Sequence, residues 1–199
     1  MKKLFLAALL SLFTAASANA DLAFLNEIHY DNAGGDVDEF VEFAIESGAD
    51  LSQVLVELVN GSTAGGVVYD SESGTNLSPG ATGLDFGGTL YDLFVWTPTS
   101  IQNGSPDGIA ITTSMGVQEF LSYEGVITGN ATLGDSTDIM AAEDGTTAIG
   151  GSIELDATGV WVASDTNTQG AANVAIPEPS SLALLGLIGC TGFIRRRRN

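Results

Sequence analysis

The residues best placed to do chemistry in this chain are carboxylates. The stretch FLNEIHYDNAGGDVDEFVEF, residues 24–43, sets Asp31, Asn32, Asp36, Asp38, Glu39 and Glu42 on and beside a Gly34-Gly35 turn between two apolar runs. Oxygen donors gathered at a turn suit calcium, which takes about six to eight oxygens and needs no histidine. The Asp-x-Asx-x-Asx-Gly order of an EF-hand loop is missing. Asp31, Asn32, Asp36, Asp38 and Glu39 are therefore candidate calcium ligands, and calcium is the one cofactor the sequence suggests. The competing reading is a solvated turn, because Asp and Asn favour turns for their own backbone hydrogen bonds. Glu39 and Glu42 fall on opposite faces of a period-two strand, so one of them points inward and needs a partner.

Other chemistry is scarce. His29 is the only histidine, and Cys190, the only cysteine, lies near the C-terminus. A Ser-His-Asp triad has no G-x-S-x-G turn to serve it, and a zinc site would rest almost wholly on carboxylates. His29 reads as a strand-end histidine bonded to the backbone or to a carboxylate. A second acidic group, Asp135, Asp138, Glu143 and Asp144, lies in a Gly- and Thr-rich stretch and reads as a solvated loop. Paired carboxylates can hydrolyse glycosides, but only across a cleft at particular separations. No catalytic residue is assigned, and a carboxylate-based hydrolase is the weakest of the functional readings. Asn60, Asn76, Asn103 and Asn130 head formal glycosylation sequons that read as ordinary turns, and Trp96 and Trp161 read as core residues.

Charge divides the chain into three. The six basic residues are Lys2, Lys3 and Arg195 to Arg198, and every acidic residue lies between them. Residues 21–175 hold all of the 25 acids except Glu178 and have no Lys or Arg. Such a body cannot bind nucleic acid by neutralising phosphates. Its self-repulsion must be met by burial, salt or bound cations.

The elements that position these groups are β-strands. Apolar or alternating runs recur at 22–28, 39–45, 53–59, 67–70, 90–96, 108–112, 117–123, 152–156 and 159–163, separated by Gly, Asn, Asp and Ser clusters. No window holds a helical repeat. The expectation is an all-β domain over residues 21–165, an Ig-like β-sandwich, with a long loop at 129–150 and a spacer at 166–175.

Both termini read as addresses. Residues 1–20 combine Lys2 and Lys3, an apolar run at 4–13 and an Ala18-Asn19-Ala20 cleavage pattern, the three parts of a signal peptide. At the other end Pro177-Glu178-Pro179 precedes an uncharged run from Ser180 to Ile194, then Arg195, Arg196, Arg197 and Arg198. As a helix that run would span about 22 Å, short of the ~30 Å hydrocarbon core, with the arginines held on the cytoplasmic side. Residues 176–199 resemble the PEP-CTERM sorting signal of Gram-negative bacteria. The resemblance implies recognition by a membrane-embedded exosortase, removal of the tail near Pro177-Glu178-Pro179, and delivery to the cell surface or an exopolysaccharide matrix. A permanent anchor is the alternative.

Residues 24–43 also resemble the opening of a bacterial exported lamin tail domain. Agreement continues through Asp50-Leu51-Ser52, Asn60-Gly61, Asp107-Gly108-Ile109-Ala110, residues 118–125, Ser136-Thr137-Asp138-Ile139 and Ser152-Ile153-Glu154-Leu155. Gln53-Val54 stand where that family carries a Gly-Trp turn. The resemblance implies an Ig-like sandwich and a non-catalytic module. The expected role is structural, adhesive or matrix-associated. The rival is a calcium-dependent module that binds extracellular polysaccharide or a surface protein.

Overall fold

The computed structural model describes residues 22–173, and these form two β-sheets with almost no helix. The strands are β1 (Ala23–His29), β2 (Phe40–Glu46), β3 (Leu55–Asn60), β4 (Val67–Ser73), β5 (Ser78–Pro79), β6 (Leu84–Phe86), β7 (Thr89–Trp96), β8 (Asp107–Thr113), β9 (Gly116–Tyr123), β10 (Thr137–Asp138), β11 (Ser152–Leu155) and β12 (Trp161–Ser164). The first sheet runs β12-β11-β1-β2-β7-β5, with β6 also on β7; the second runs β10-β9-β8-β3-β4. All pairings are antiparallel except β9 with β10.

The arrangement is sandwich-like because both sheets bury side chains in one core. Leu25, Ile28, Val41, Phe43, Ile45 and Ile153 of the first sheet meet Val56, Leu58, Ile109, Ile111 and Tyr123 of the second. Alternation along β8 shows how the sequence does this. Ile109 and Ile111 face that core, while Ala110 between them joins Val59, Phe120, Ile127 and Leu133 on the outer face. Gly108 is required beside them, since a Cβ there would stand 2.8 Å from the Leu121 carbonyl oxygen.

The outer face of the first sheet is also covered. Ala44, Tyr91 and Leu93 pack beneath Ala81, Leu84 and Phe86 from the segment around β5 and β6. Phe40 to Ile45 are consequently all buried, on both faces of β2. Trp96 is a core residue as expected, whereas Trp161 is half-buried at the sheet edge and packs against the core. The 129–150 stretch is mostly loop but adds β10 and an isolated bridge, Asn130 to Gly134.

The signal peptide expected at 1–20, the Pro177-Glu178-Pro179 motif, the apolar run expected to form a short helix and Arg195 to Arg198 lie outside the described residues. Among the described residues no helix is long and apolar enough to cross a membrane.

Candidate functional site

At the end of β1 the chain turns on a buried polar knot. His29, Tyr30 and Asn32 are fully or almost fully buried, and so is Glu143, which arrives from the distant loop. Glu143 Oε1 pairs with His29 Nδ1 at 2.8 Å, and Oε2 accepts the backbone N–H groups of Tyr30 at 2.5 Å and Asp31 at 3.1 Å. The Glu143 N–H donates to the Tyr30 hydroxyl at 2.8 Å, which itself donates to Glu124 at 3.2 Å. Tyr30 stacks on Tyr123 with ring centroids 4.2 Å apart. His29 and Glu143 form the one ion pair among the described residues. Burial opposes charge on the His29 ring, but the hydrogen bond and charge of Glu143 outweigh it and lift His29 above its ordinary 6.5. The expectation of a histidine satisfied by a carboxylate holds. Reading Glu143 as part of a solvated loop does not, because its side chain closes this knot; its neighbours Asp135, Asp138 and Asp144 do serve turn N–H groups.

Beside the knot, Asp36, Asp38 and Glu39 line an open cleft of about 510 Å³ together with Thr97, Asn167 and Gln169. Asp38 holds a left-handed backbone at φ 59°, a conformation that Asp tolerates better than most residues. Of the five candidate calcium ligands these three share the cleft. Asp31 lies near Asp36, and burial first, then the charge of Asp36, raises its pKa. Asn32 sits behind, its Nδ2 contacting His29 Nε2 at 3.0 Å and donating to the Val37 carbonyl oxygen at 3.0 Å. Asn32 Oδ1 and Glu39 Oε1 are buried without a hydrogen-bond partner, while Glu39 Oε2 accepts from the Ile101 N–H at 3.1 Å. Burial raises the Glu39 pKa above its ordinary value, and the charge of Asp36 adds to it. Among the described residues no three His, Cys, Asp or Glu side chains converge as a metal ion requires.

The feature that sequence reasoning missed lies on the outer face of the first sheet. Strand register sets Glu154 of β11 opposite Glu27 of β1, and Glu27 opposite Glu42 of β2. Three carboxylates thus form a row in a region that has no Lys or Arg. They are covered by the C-terminal segment 167–173. Glu27 accepts the Thr168 N–H and hydroxyl, both at 2.9 Å. Glu42 accepts the Gly170 N–H at 2.6 Å and Asn26 Nδ2 at 2.7 Å. Asn173 donates to the carbonyl oxygens of Asn26 at 3.1 Å and Leu155 at 2.9 Å. Burial drives the Glu42 pKa up to about 7 despite these donors, with the charge of Glu27 adding to the rise. Glu154 is also raised by burial and by Glu27, and its Oε2 has no partner.

Residues 166–173, read from sequence as a spacer, are therefore a strap bonded to the sheet. Their polar, small-residue composition is that of a linker, but buried carboxylates from distant strands supply the acceptors that fix it. Of the Glu39/Glu42 pair, Glu42 points to the outer face and is buried there only because the strap covers it, whereas Glu39 lies on the side of Val41 and Phe43, with one oxygen accepting the Ile101 N–H.

Compared with known proteins, residues 175–198 match the PEP-CTERM protein-sorting motif. No curated protein and no solved structure matches the chain. A PEP-CTERM motif marks an exported protein sorted to the surface by an exosortase.

Proposed function

We propose that the body delivered by this tail is a non-catalytic domain of lamin-tail type, an Ig-like sandwich with a structural, adhesive or matrix-associated role. The carrying observation is the use to which its best acids are put. Glu27, Glu42 and Glu143 are buried and spend their oxygens on backbone N–H groups, hydroxyls and His29. Carboxylates bonded this way hold chain segments together and present no free base to a substrate. The sorting motif, an acidic body without Lys or Arg, and the run of matching segments from Asp50 to Leu155 support the same reading. Its partners are the exosortase, through the tail, and matrix polysaccharide or surface proteins. Fractionating cells that carry the tagged chain tests this: the body should be recovered with the surface and matrix, and recovery in the periplasm alone contradicts it.

One observation favours a second reading, a calcium-dependent binding module. Asn32 Oδ1 and Glu39 Oε1 are buried and unpartnered next to the Asp36–Glu39 cleft. Thermal unfolding in calcium, in magnesium and in ionic-strength-matched sodium chloride separates the two. A ligand that binds only the folded state raises the midpoint by mass action. Equal midpoints in the three salts leave the plain structural role. A rise specific to calcium, lost on Glu39→Gln, establishes the module.

A further inference from the structure

The strap ends where the sorting motif begins. Asn173 is buried and bonded to the sheet, and the motif match starts at residue 175. From Asn173 to Pro177 there are four residue steps, about 14 Å when fully extended at ~3.5 Å each. A peptidase that reads an extended segment must fit chain on both sides of the bond it breaks. With the strap docked, the chain is committed to the sheet up to Asn173.

We propose that the strap is a latch that sets the reach of the sorting motif: tail removal proceeds when residues 167–173 peel from Glu27 and Glu42. This rests on the reading of the tail as an exosortase substrate. Peeling frees the chain back to Ser164, the end of β12, and lengthens the leash to about 45 Å by the same measure. The strap is built to open. Its residues before Asn173 are exposed or half-buried, so hydrogen bonds and little apolar area hold it, which is the profile of a segment of low local stability. Opening also returns two buried carboxylates to water, offsetting part of the bonds lost. On the other side Gly80 lies against it, and the Ala81 N–H donates to the Gly170 carbonyl oxygen at 2.9 Å. A Cβ on Gly80 would stand 2.9 Å from Gly170 Cα and its carbonyl oxygen.

The gated step breaks one peptide bond. Its carbonyl carbon passes to a nucleophile supplied at the enzyme, finally water or an amine, and the departing nitrogen takes up that nucleophile's proton.

The test measures tail removal from the full-length chain in exosortase-bearing cells by pulse-chase. Gly80→Ala wedges the strap, and Thr168→Val deletes a hydroxyl bond to Glu27. Thr168→Val should speed removal about fivefold, the effect of one lost hydrogen bond on the open fraction, and Gly80→Ala should speed it in the same direction. Ten Gly/Ser residues inserted after Asn173 lengthen the leash without touching the fold, so this variant carries the test even if the others misfold. It should be processed at least as fast as the latch variants, and combining it with them should add nothing. An insertion without effect on the rate overturns the latch. Unchanged tail removal after replacing Pro177, Glu178 and Pro179 with alanine overturns instead the sorting reading beneath it.

Discussion

Acidification should stabilise this domain between pH 8 and pH 5, the reverse of ordinary acid unfolding. Glu42 carries most of the effect. Burial, reinforced by Glu27, lifts its pKa from an ordinary 4.5 to about 7 in the folded state. An acid with a raised folded pKa binds its proton more tightly when folded. Its stabilising contribution is complete below the unfolded value, near 4.5, and is lost as pH rises through about 7. Between pH 8 and pH 5 this one group should add about 2–3 kcal/mol, at ~1.4 kcal/mol per pKa unit. Glu154, Asp107, Glu57 and Glu39 are raised in the same direction, burial being the first cause for each. The opposing group, Asp50, Glu72, Asp144 and Asp156, has its pKa values lowered by hydrogen bonds from nearby donors, so these acids act only at more acidic pH. Urea unfolding of residues 21–175 at fixed ionic strength reads this directly. With an m-value of ~2 kcal/mol/M, the midpoint should rise by about 1 M or more on going to pH 5. Glu42→Gln removes the titration and should erase most of that rise, although one N–H of Asn26 or Gly170 then faces an amide NH₂. A midpoint that falls on acidification, or a rise untouched by Glu42→Gln, would refute this view of the carboxylate row.

Further outcomes follow from the knot and the core. Glu143→Ala leaves His29 buried without its partner and two N–H groups unanswered, so urea unfolding should show a loss of about 3–5 kcal/mol. Glu143→Gln keeps an acceptor and should cost less. In NMR titration the His29 ring should protonate above its ordinary 6.5 in the parent and at lower pH in Glu143→Gln, where the Glu143 charge no longer offsets burial. Gly108→Ala forces a methyl within 2.8 Å of the Leu121 carbonyl oxygen and should cost about 1–3 kcal/mol by overpacking, read as a lowered thermal midpoint.

Much of the fold was legible because its strands are locally consistent. The runs at 22–28, 39–45, 90–96 and 117–123 fall within a residue or two of β1, β2, β7 and β9, since β-branched and aromatic residues bounded by Gly and Asp clusters suffice there. The two-residue strands β5 and β10 and the short β6 were not legible, having too few residues to show a period. The carboxylate row could not be read at all. Glu27 and Glu154 are far apart in sequence and meet only through strand register. Glu143 was hidden for the same reason: in sequence it is one acid among Gly and Thr, and only the fold brings it to His29. The turn around Gly34-Gly35 was located from residue types alone, yet those types do not say where each oxygen points. Three of the five candidates reached one cleft, and Asn32 turned inward to the knot.

The claim that this acidic body is delivered by its tail is tested most directly by the intact mass of the chain recovered from the cell surface. The account predicts a species that begins near Asp21 and ends near Pro177-Glu178-Pro179, with the full tail retained when the exosortase is deleted. Recovery of the same mass with and without the enzyme, Arg195 to Arg198 still attached, would contradict it.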